Sequence, residues 1–272
     1  MTNFLNDLPI ILLALPGILL SLSVHEASHG YAAYKLGDPT AKNLGRLTLN
    51  PIKHINIFGF ICMLFFNVGW ANPVPVNTRN FKNSKKGMAI TAAAGPLSNL
   101  CLAIISLILL RLLLIPIESI ANEVVSNAND LHSLFGPYGV FVEDGETYYY
   151  IHPLLQKHTG FVILSVFATM LSLNVALNFN LMIFNLIPLP PLDGSRIAYL
   201  FLPTDTYFKV MRYEIYIQMA FIFLMALGMI SLPLNFITGG LTDIFYSLLG
   251  IEDDLVTVVT SDIYNRLPTF SF

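Results

Sequence analysis

Five runs without a single charged side chain dominate this sequence: residues 8–24, 55–78, 87–110, 161–192 and 215–242. A bilayer's hydrocarbon core requires about 20 consecutive apolar residues from a helix, and the first run is slightly shorter than that while the others reach or exceed it. Core helices of soluble domains are seldom so long and so bare. Composition agrees, with 55% hydrophobic and 11% charged residues and a mean hydropathy of +0.66, against about 25% charged residues in an ordinary soluble domain. The chain reads as an all-α polytopic membrane protein.

The same numbers exclude other classes. A formal net charge of −3 and the lack of a Lys/Arg-rich stripe leave no basis for a nucleic-acid partner. Cys62 and Cys101 sit inside apolar runs with no CxxC spacing, so they read as small buried hydrophobes rather than as a disulfide framework. The N-terminus has no basic segment ahead of its apolar run and no small-residue cleavage site, so the first helix is expected to stay in the mature protein.

Four helices are expected over about residues 9–36, 87–116, 160–186 and 212–232, and residues 234–249 suit either a fifth span or an interfacial helix. Pro16 and Gly17 mark a kink or a late start in the first. The run at 55–78 holds Gly59, Gly69, Pro73 and Pro75 and ends "NVGWANPVPVN". Irregular backbone at membrane depth survives only where protein or a wet cavity covers it, so this segment reads as a re-entrant or interfacial hairpin, with a poor helix followed by a cytosolic Pro-rich loop as the alternative. A polar stretch occupies 118–159, and the whole chain, 1–272, reads as one integral membrane domain.

Basic residues orient the helices. The segment after the first helix carries Lys42, Arg46, Lys53, Arg79, Lys82, Lys85 and Lys86 against Asp38 alone; the 118–159 stretch carries Glu118, Glu123, Asp130, Glu143, Asp144 and Glu146 against Lys157; Arg196, Lys209 and Arg212 follow the third helix. The alternation predicts a multi-pass protein of the plasma or inner membrane. The C-terminal ends of the first and third helices then share the cytoplasmic side.

Into the first helix the sequence places "SVHEASHG". His25 and His29 are four residues apart, so both imidazoles project from one helical face and can share a metal ion, with Glu26 beside the first. A zinc hydrolase needs this division of labour: neutral imidazoles hold Zn²⁺, and an adjacent carboxylate takes a proton from the attacking water and returns it to the leaving amine. His25 lies ten residues before Lys35, about 15 Å of helix, which puts the motif below the membrane surface. Ionisable groups there are costly and usually functional.

Catalytic zinc normally takes three protein ligands. Of the histidines, His132, His152 and His158 fall on the opposite side, and His54 lies in the basic segment, where a structural or solvated role suits it. Cys62 and Cys101 lack a partner spacing. Asp193, in "NLIPLPPLDGSR", follows helix-breaking prolines at the cytoplasmic end of the third helix, level with the end of the first. By itself it would read as an Asp-Gly turn; the shared side and the zinc stoichiometry favour a third ligand.

These features together resemble the site-2 protease family of intramembrane zinc metalloproteases. The resemblance rests on HExxH in "SVHEASHGYAAYKLGD", on "NLIPLPPLDG", and on "LGRLTLNPIKH", "GWANPVPVN" and "AAAGPLSN" between them, spanning about residues 9–200. It implies a core of three transmembrane helices, one zinc ion held by His25, His29 and Asp193, Glu26 as general base and acid, and a membrane-protein substrate with a transmembrane helix. Asn185 matches the family's asparagine upstream of LDG and would contact substrate or the developing oxyanion, with an interhelical hydrogen bond as the alternative. Asn99 is expected to support helix packing. The hairpin residues Gly69, Trp70, Ala71, Asn72, Pro73 and Val74 would bind unwound substrate as an added strand. The sequence shows no PDZ-like insertion or nucleotide-sensing tail, so a compact bacterial-type member is expected. A competing reading, a membrane transporter with an intramembrane His/Asp ion path, leaves Glu26 without a task.

Overall fold

The computed structural model describes residues 4–66, 71–126, 137–143, 146–227, 229–251, 255–257 and 260. Nine helices and two strands follow in order among the described residues: α1 (Phe4–Lys35), α2 (Thr40–Asn43), α3 (Ile57–Phe66), α4 (Ser84–Ser126), β1 (Tyr138–Glu143), β2 (Glu146–Ile151), α5 (Pro153–Lys157), α6 (Thr159–Leu186), α7 (Asp193–Ala198), α8 (Thr204–Ala226) and α9 (Ser231–Leu249). Three of them, α1, α4 and α6, are long and apolar enough to cross a membrane, and the chain is a membrane protein.

Prolines matter less to these helices than the sequence suggests. α1 runs through Pro9 and Pro16, and α4 continues past Pro116 to Ser126. Without water, a backbone leaving the helix has no hydrogen-bond partners, so losing one bond at proline costs less than unwinding. Near the C-terminus, Pro233 does not interrupt a helix over 212–232. α8 starts earlier, at Thr204, and ends at Ala226, and Pro233 lies in the first turn of α9, where a missing N–H breaks no bond.

Residues 55–78 take two forms. The apolar decamer Ile57–Phe66 satisfies its own backbone as α3. Residues 67–70, and with them the expected substrate contacts Gly69 and Trp70, lie outside the described residues. Ala71 then forms an isolated antiparallel bridge with Ile55, and the amide of Asn72 donates to the carbonyl of His54 at 2.6 Å. The polar stretch before α6 contributes a feature beyond an all-α fold. β1 and β2 pair antiparallel from Tyr138↔Ile151 to Glu143↔Glu146, and the β-branched and aromatic residues flanking Asp144-Gly145 are the hairpin signal that identifies it in retrospect.

The chain divides into two compact units. One comprises Met1–Gly17, Ile104–Val175 and Leu241–Phe272, with a core of Leu107, Leu110, Leu114, Ile117, Leu155, Phe161 and Leu255. In it, Asn174 of α6 donates to the Ser106 hydroxyl of α4 at 2.8 Å. The other comprises Ile18–Ala103 and Ala176–Gly240. Its part of α4 buries Thr91, Ala92, Gly95, Asn99 and Ala103 while Ile90, Leu97 and Cys101 are exposed. Small and polar residues inside with large apolar ones outside is the pattern of a helix whose solvent is lipid. It also corrects the expectation for the cysteines: Cys101 is exposed and Cys62 half-buried, because an apolar run in a membrane helix includes the face turned to lipid. α8 and α9 pack in this unit against α6 and α7: Phe221 lies 5.8 Å from Phe184, Glu214 pairs with Arg196 at 2.7 Å, and Thr238 donates to Asn180 at 2.7 Å.

Candidate active site

The second unit brings His25, His29 and Asp193 together. His25 and His29 stand one turn apart on α1, and Asp193 opens α7 immediately after the proline-rich turn that ends α6. Gly194 allows this return of the chain, because a Cβ there would collide with the carbonyl oxygens of Leu186 and Ile187. The two imidazole Nε2 atoms lie 3.0 Å apart, and each is 3.2 Å from Asp193 Oδ2. Ligands of a tetrahedral zinc, at about 2.0–2.1 Å from the ion, are about 3.3 Å from one another. The three edges are close to that length.

Donor chemistry supports the fit. The Thr91 carbonyl can only accept, and His29 Nδ1 is 2.8 Å from it, so the ring hydrogen of His29 is on Nδ1 and its Nε2 lone pair points to the other donors. Asp193 Oδ2 is buried without a hydrogen-bond donor. Three donor atoms converging at this spacing fit a cation between them.

Glu26, also buried, does not join this triangle. Its Oε2 accepts from the backbone amide of Val74 at 2.9 Å. The segment around Val74 is held by further hydrogen bonds: besides the Asn72 amide bond, Arg46 donates to the Asn72 carbonyl at 2.6 Å and to the Pro73 carbonyl at 3.3 Å, and the Asn77 amide donates to Asp38 at 2.7 Å. Of the expected substrate contacts, Ala71, Asn72, Pro73 and Val74 therefore lie on the irregular segment that touches the candidate base. Asn185 is not brought to the triangle by any hydrogen bond seen here; its amide donates to the Leu181 carbonyl on its own helix at 2.9 Å. His54 is structural, buried with Nε2 2.8 Å from the Thr48 carbonyl.

Three contributors from α4 were not read from the sequence as part of the site: Thr91 through its carbonyl, Asn99, whose Oδ1 is 2.6 Å from His25 Nδ1, and Gly95 between them. A Cβ on Gly95 would lie 2.5 Å from His29 Cε1 and 2.6 Å from His25 Cε1, so the absent side chain is what lets the imidazoles lie against α4. The available signal was the i, i+4, i+8 spacing of Thr91, Gly95 and Asn99, one face of an otherwise apolar helix.

Residues 13–227 match Peptidase family M50. Among curated proteins, "Putative zinc metalloprotease YwhC" of Bacillus subtilis (strain 168) is 36% identical over 203 residues, covering 73% of each chain. "Putative zinc metalloprotease Rip2" of Mycolicibacterium smegmatis is 31% identical over 111 residues, 39% of this chain and 43% of that one. The protein of the same name from Mycobacterium tuberculosis (H37Rv) is 31% identical over 117 residues, 41% of this chain and 44% of its own. No solved structure matches.

Proposed function

Because the chain belongs to Peptidase family M50, the family of the site-2 proteases, we propose that it is a zinc metalloendopeptidase cutting peptide bonds in or beside transmembrane segments of other membrane proteins. The observation that carries the reading is the triangle of His25 Nε2, His29 Nε2 and Asp193 Oδ2, with Glu26 beside it on a helix apolar enough to span a bilayer. His25, His29 and Asp193 hold one zinc per chain. Zinc, when bound, supplies a Lewis acid that polarises the scissile carbonyl and acidifies water.

Glu26 takes the proton of the attacking water and returns it to the amine of the departing fragment. The Val74 amide holds one of its oxygens, which leaves the other to face the water. That same bond links the base to the segment over residues 71–77. A substrate helix hides its amides, so it must unwind to be cut, and it pairs in extended form along Ala71, Asn72, Pro73 and Val74. Pro73 and Pro75 lack an N–H, so they offer substrate carbonyl acceptors only, and the Pro73 carbonyl already accepts from Arg46 at 3.3 Å. Asn185 supports the developing oxyanion once its amide leaves Leu181. The excess of basic residues between α1 and α4 supports a plasma- or inner-membrane protein with His25, His29 and Asp193 toward the cytoplasm.

The test is Glu26→Gln, coexpressed with a tagged single-pass membrane protein that the wild type cleaves. Zinc content at wild-type level with cleavage reduced at least about 10³-fold is expected; undiminished cleavage would remove Glu26 from the mechanism.

A further inference from the structure

Two of the uncharged runs end within a few residues of a cation on the wall of one cavity. Lys85 stands two residues before the run at 87–110, and Arg196 four residues after the run at 161–192. Lipid phosphates lie where a spanning helix leaves the hydrocarbon core, so both cations stand at headgroup level. The cavity has a volume of about 320 Å³, and its walls include Thr78, Ser84, Lys85, Met88, Arg196 and Leu200, all within the second unit. Sites for small molecules start at about this size.

Among the described residues of the wall there are two cations and no carboxylate. Both cationic heads are held in place: Arg196 Nη2 is 2.7 Å from Glu214 Oε1, and Lys85 Nζ donates to the Leu202 carbonyl at 3.3 Å. Glu214 offsets part of the Arg196 charge, and Lys85 adds a second cation. Ordering long side chains is part of what binding costs, and these contacts order them before a ligand arrives. Ser84 Oγ donates to the Thr78 carbonyl at 2.9 Å, and its lone pairs give that hydroxyl acceptor capacity as well. At Leu200 and Phe201 the surface turns apolar, with exposures of 37% and 80%. A free anion would leave that rim unused, whereas a lipid carries an anionic head and acyl chains in the same succession.

We propose that this cavity binds the headgroup of an anionic, hydroxyl-headed phospholipid. The Lys85 ammonium and the Arg196 guanidinium take the phosphate oxygens, the hydroxyls of Thr78 and Ser84 meet the hydroxyls of the headgroup, and the acyl chains leave past Leu200 and Phe201. A lipid with an ammonium in its headgroup would bring a third cation against the first two and is rejected on that account. Arg196 stands three residues after Asp193 on α7, and Thr78 directly follows the segment that meets Glu26, so a bound lipid ties the start of α4 to both. Zinc plays no part in this binding, and the site stands apart from the proteolytic reading.

The test titrates full-length, detergent-purified protein with dioctanoyl phosphatidylglycerol and counts bound lipid by native mass spectrometry. Saturable uptake of one equivalent is expected, at least about tenfold tighter than uptake of dioctanoyl phosphatidylcholine. Lys85→Gln should weaken it about fivefold, the worth of one basic residue near a lipid surface. Ser84→Glu sets a carboxylate in the wall at a helix start that tolerates one, and should weaken it about tenfold; either variant carries the test if the other does not fold. Lys86→Gln removes the same charge as Lys85→Gln from an exposed neighbour and should stay within about twofold of wild type, because a charge in water is screened. Equal affinity for the two lipids, wild-type affinity in Lys85→Gln and Ser84→Glu, or an equal loss in Lys86→Gln overturns the site. Inorganic phosphate that displaces the lipid at equal concentration overturns the lipid assignment in favour of a free anion.

Discussion

Gly95→Ala tests the closeness of α4 to the metal-binding imidazoles. The added methyl would lie 2.5 Å from His29 Cε1 and 2.6 Å from His29 Nε2 and His25 Cε1. Carbon atoms in comfortable contact are about 3.5–4.0 Å apart, so each ring must retreat by about 1 Å or α4 must move as far. Metal ligands tolerate displacements of about 0.2 Å. The expected result is a loss of zinc affinity of about 100-fold, at the upper end of what indirect perturbations produce, with a comparable fall in cleavage at saturating zinc. Stability should respond weakly by comparison. Alanine gains about 1 kcal/mol over glycine in a helix, and overpacking costs about 1–3 kcal/mol, so the metal-free variant should melt within a few degrees of wild type. Leu97→Ala, on the exposed face of the same turn of α4, is the control and should leave zinc binding unchanged. Chelator competition and thermal melting of the same detergent-purified samples decide the matter. Zinc affinity in Gly95→Ala within about twofold of wild type would refute the argument that Gly95 is the seat of the two imidazoles.

Asp193→Asn should lower zinc affinity at least about 100-fold; cleavage by the wild type should vanish on chelation and return with about one equivalent of zinc, as metal analysis and a gel-based assay would show. Asp38 is buried between the end of α1 and the segment that meets Glu26, where it accepts from Thr40, Asn77 and Asn80. Burial pushes its carboxyl up, but those hydrogen bonds outweigh burial and leave it below its ordinary value near 3.8. A depressed carboxyl contributes stability that is fully present above pH 3.8 and is lost as pH falls through the lower folded value. Asp38→Asn should therefore cost about 2 kcal/mol at neutral pH, a gap that closes in strong acid; equal melting temperatures at pH 7 would show that the carboxylate is not holding the segment. Asn185→Leu should reduce the turnover rate about 10–100-fold at unchanged zinc content if its amide serves the oxyanion, and wild-type turnover would confine it to its bond with Leu181.

Much of the site was legible because it is local. HExxH on a helix puts two imidazoles on one face by geometry alone, and five uncharged runs specify the lipid solvent that makes buried histidines meaningful. Asp193 is far from His25 in the chain, yet charge alternation put both near the same membrane surface, and the prolines before it end α6 there. The helix ends were less legible, because Pro16 and Pro116 are tolerated where the alternative to a helix is backbone without water, and Pro233 falls in the first turn of α9, where its missing N–H breaks no bond. Sequence by itself thus determined the class, the candidate metal-ligating residues and the candidate base.

Tertiary structure alone decided which groups surround them. Thr91, Gly95 and Asn99 look like ordinary small and polar residues of a packing face until α4 is laid against α1. The bond from the Val74 amide to Glu26 joins residues 48 apart in sequence, and a backbone amide has no sequence signature. The hydrogen bonds from Asn99 to Asn178 and from Asn178 to Ser21 join residues of three different helices. Local chemistry is written in residue types and spacing; the partner of a hydrogen bond and the room for a ring are properties of surfaces that meet only after folding.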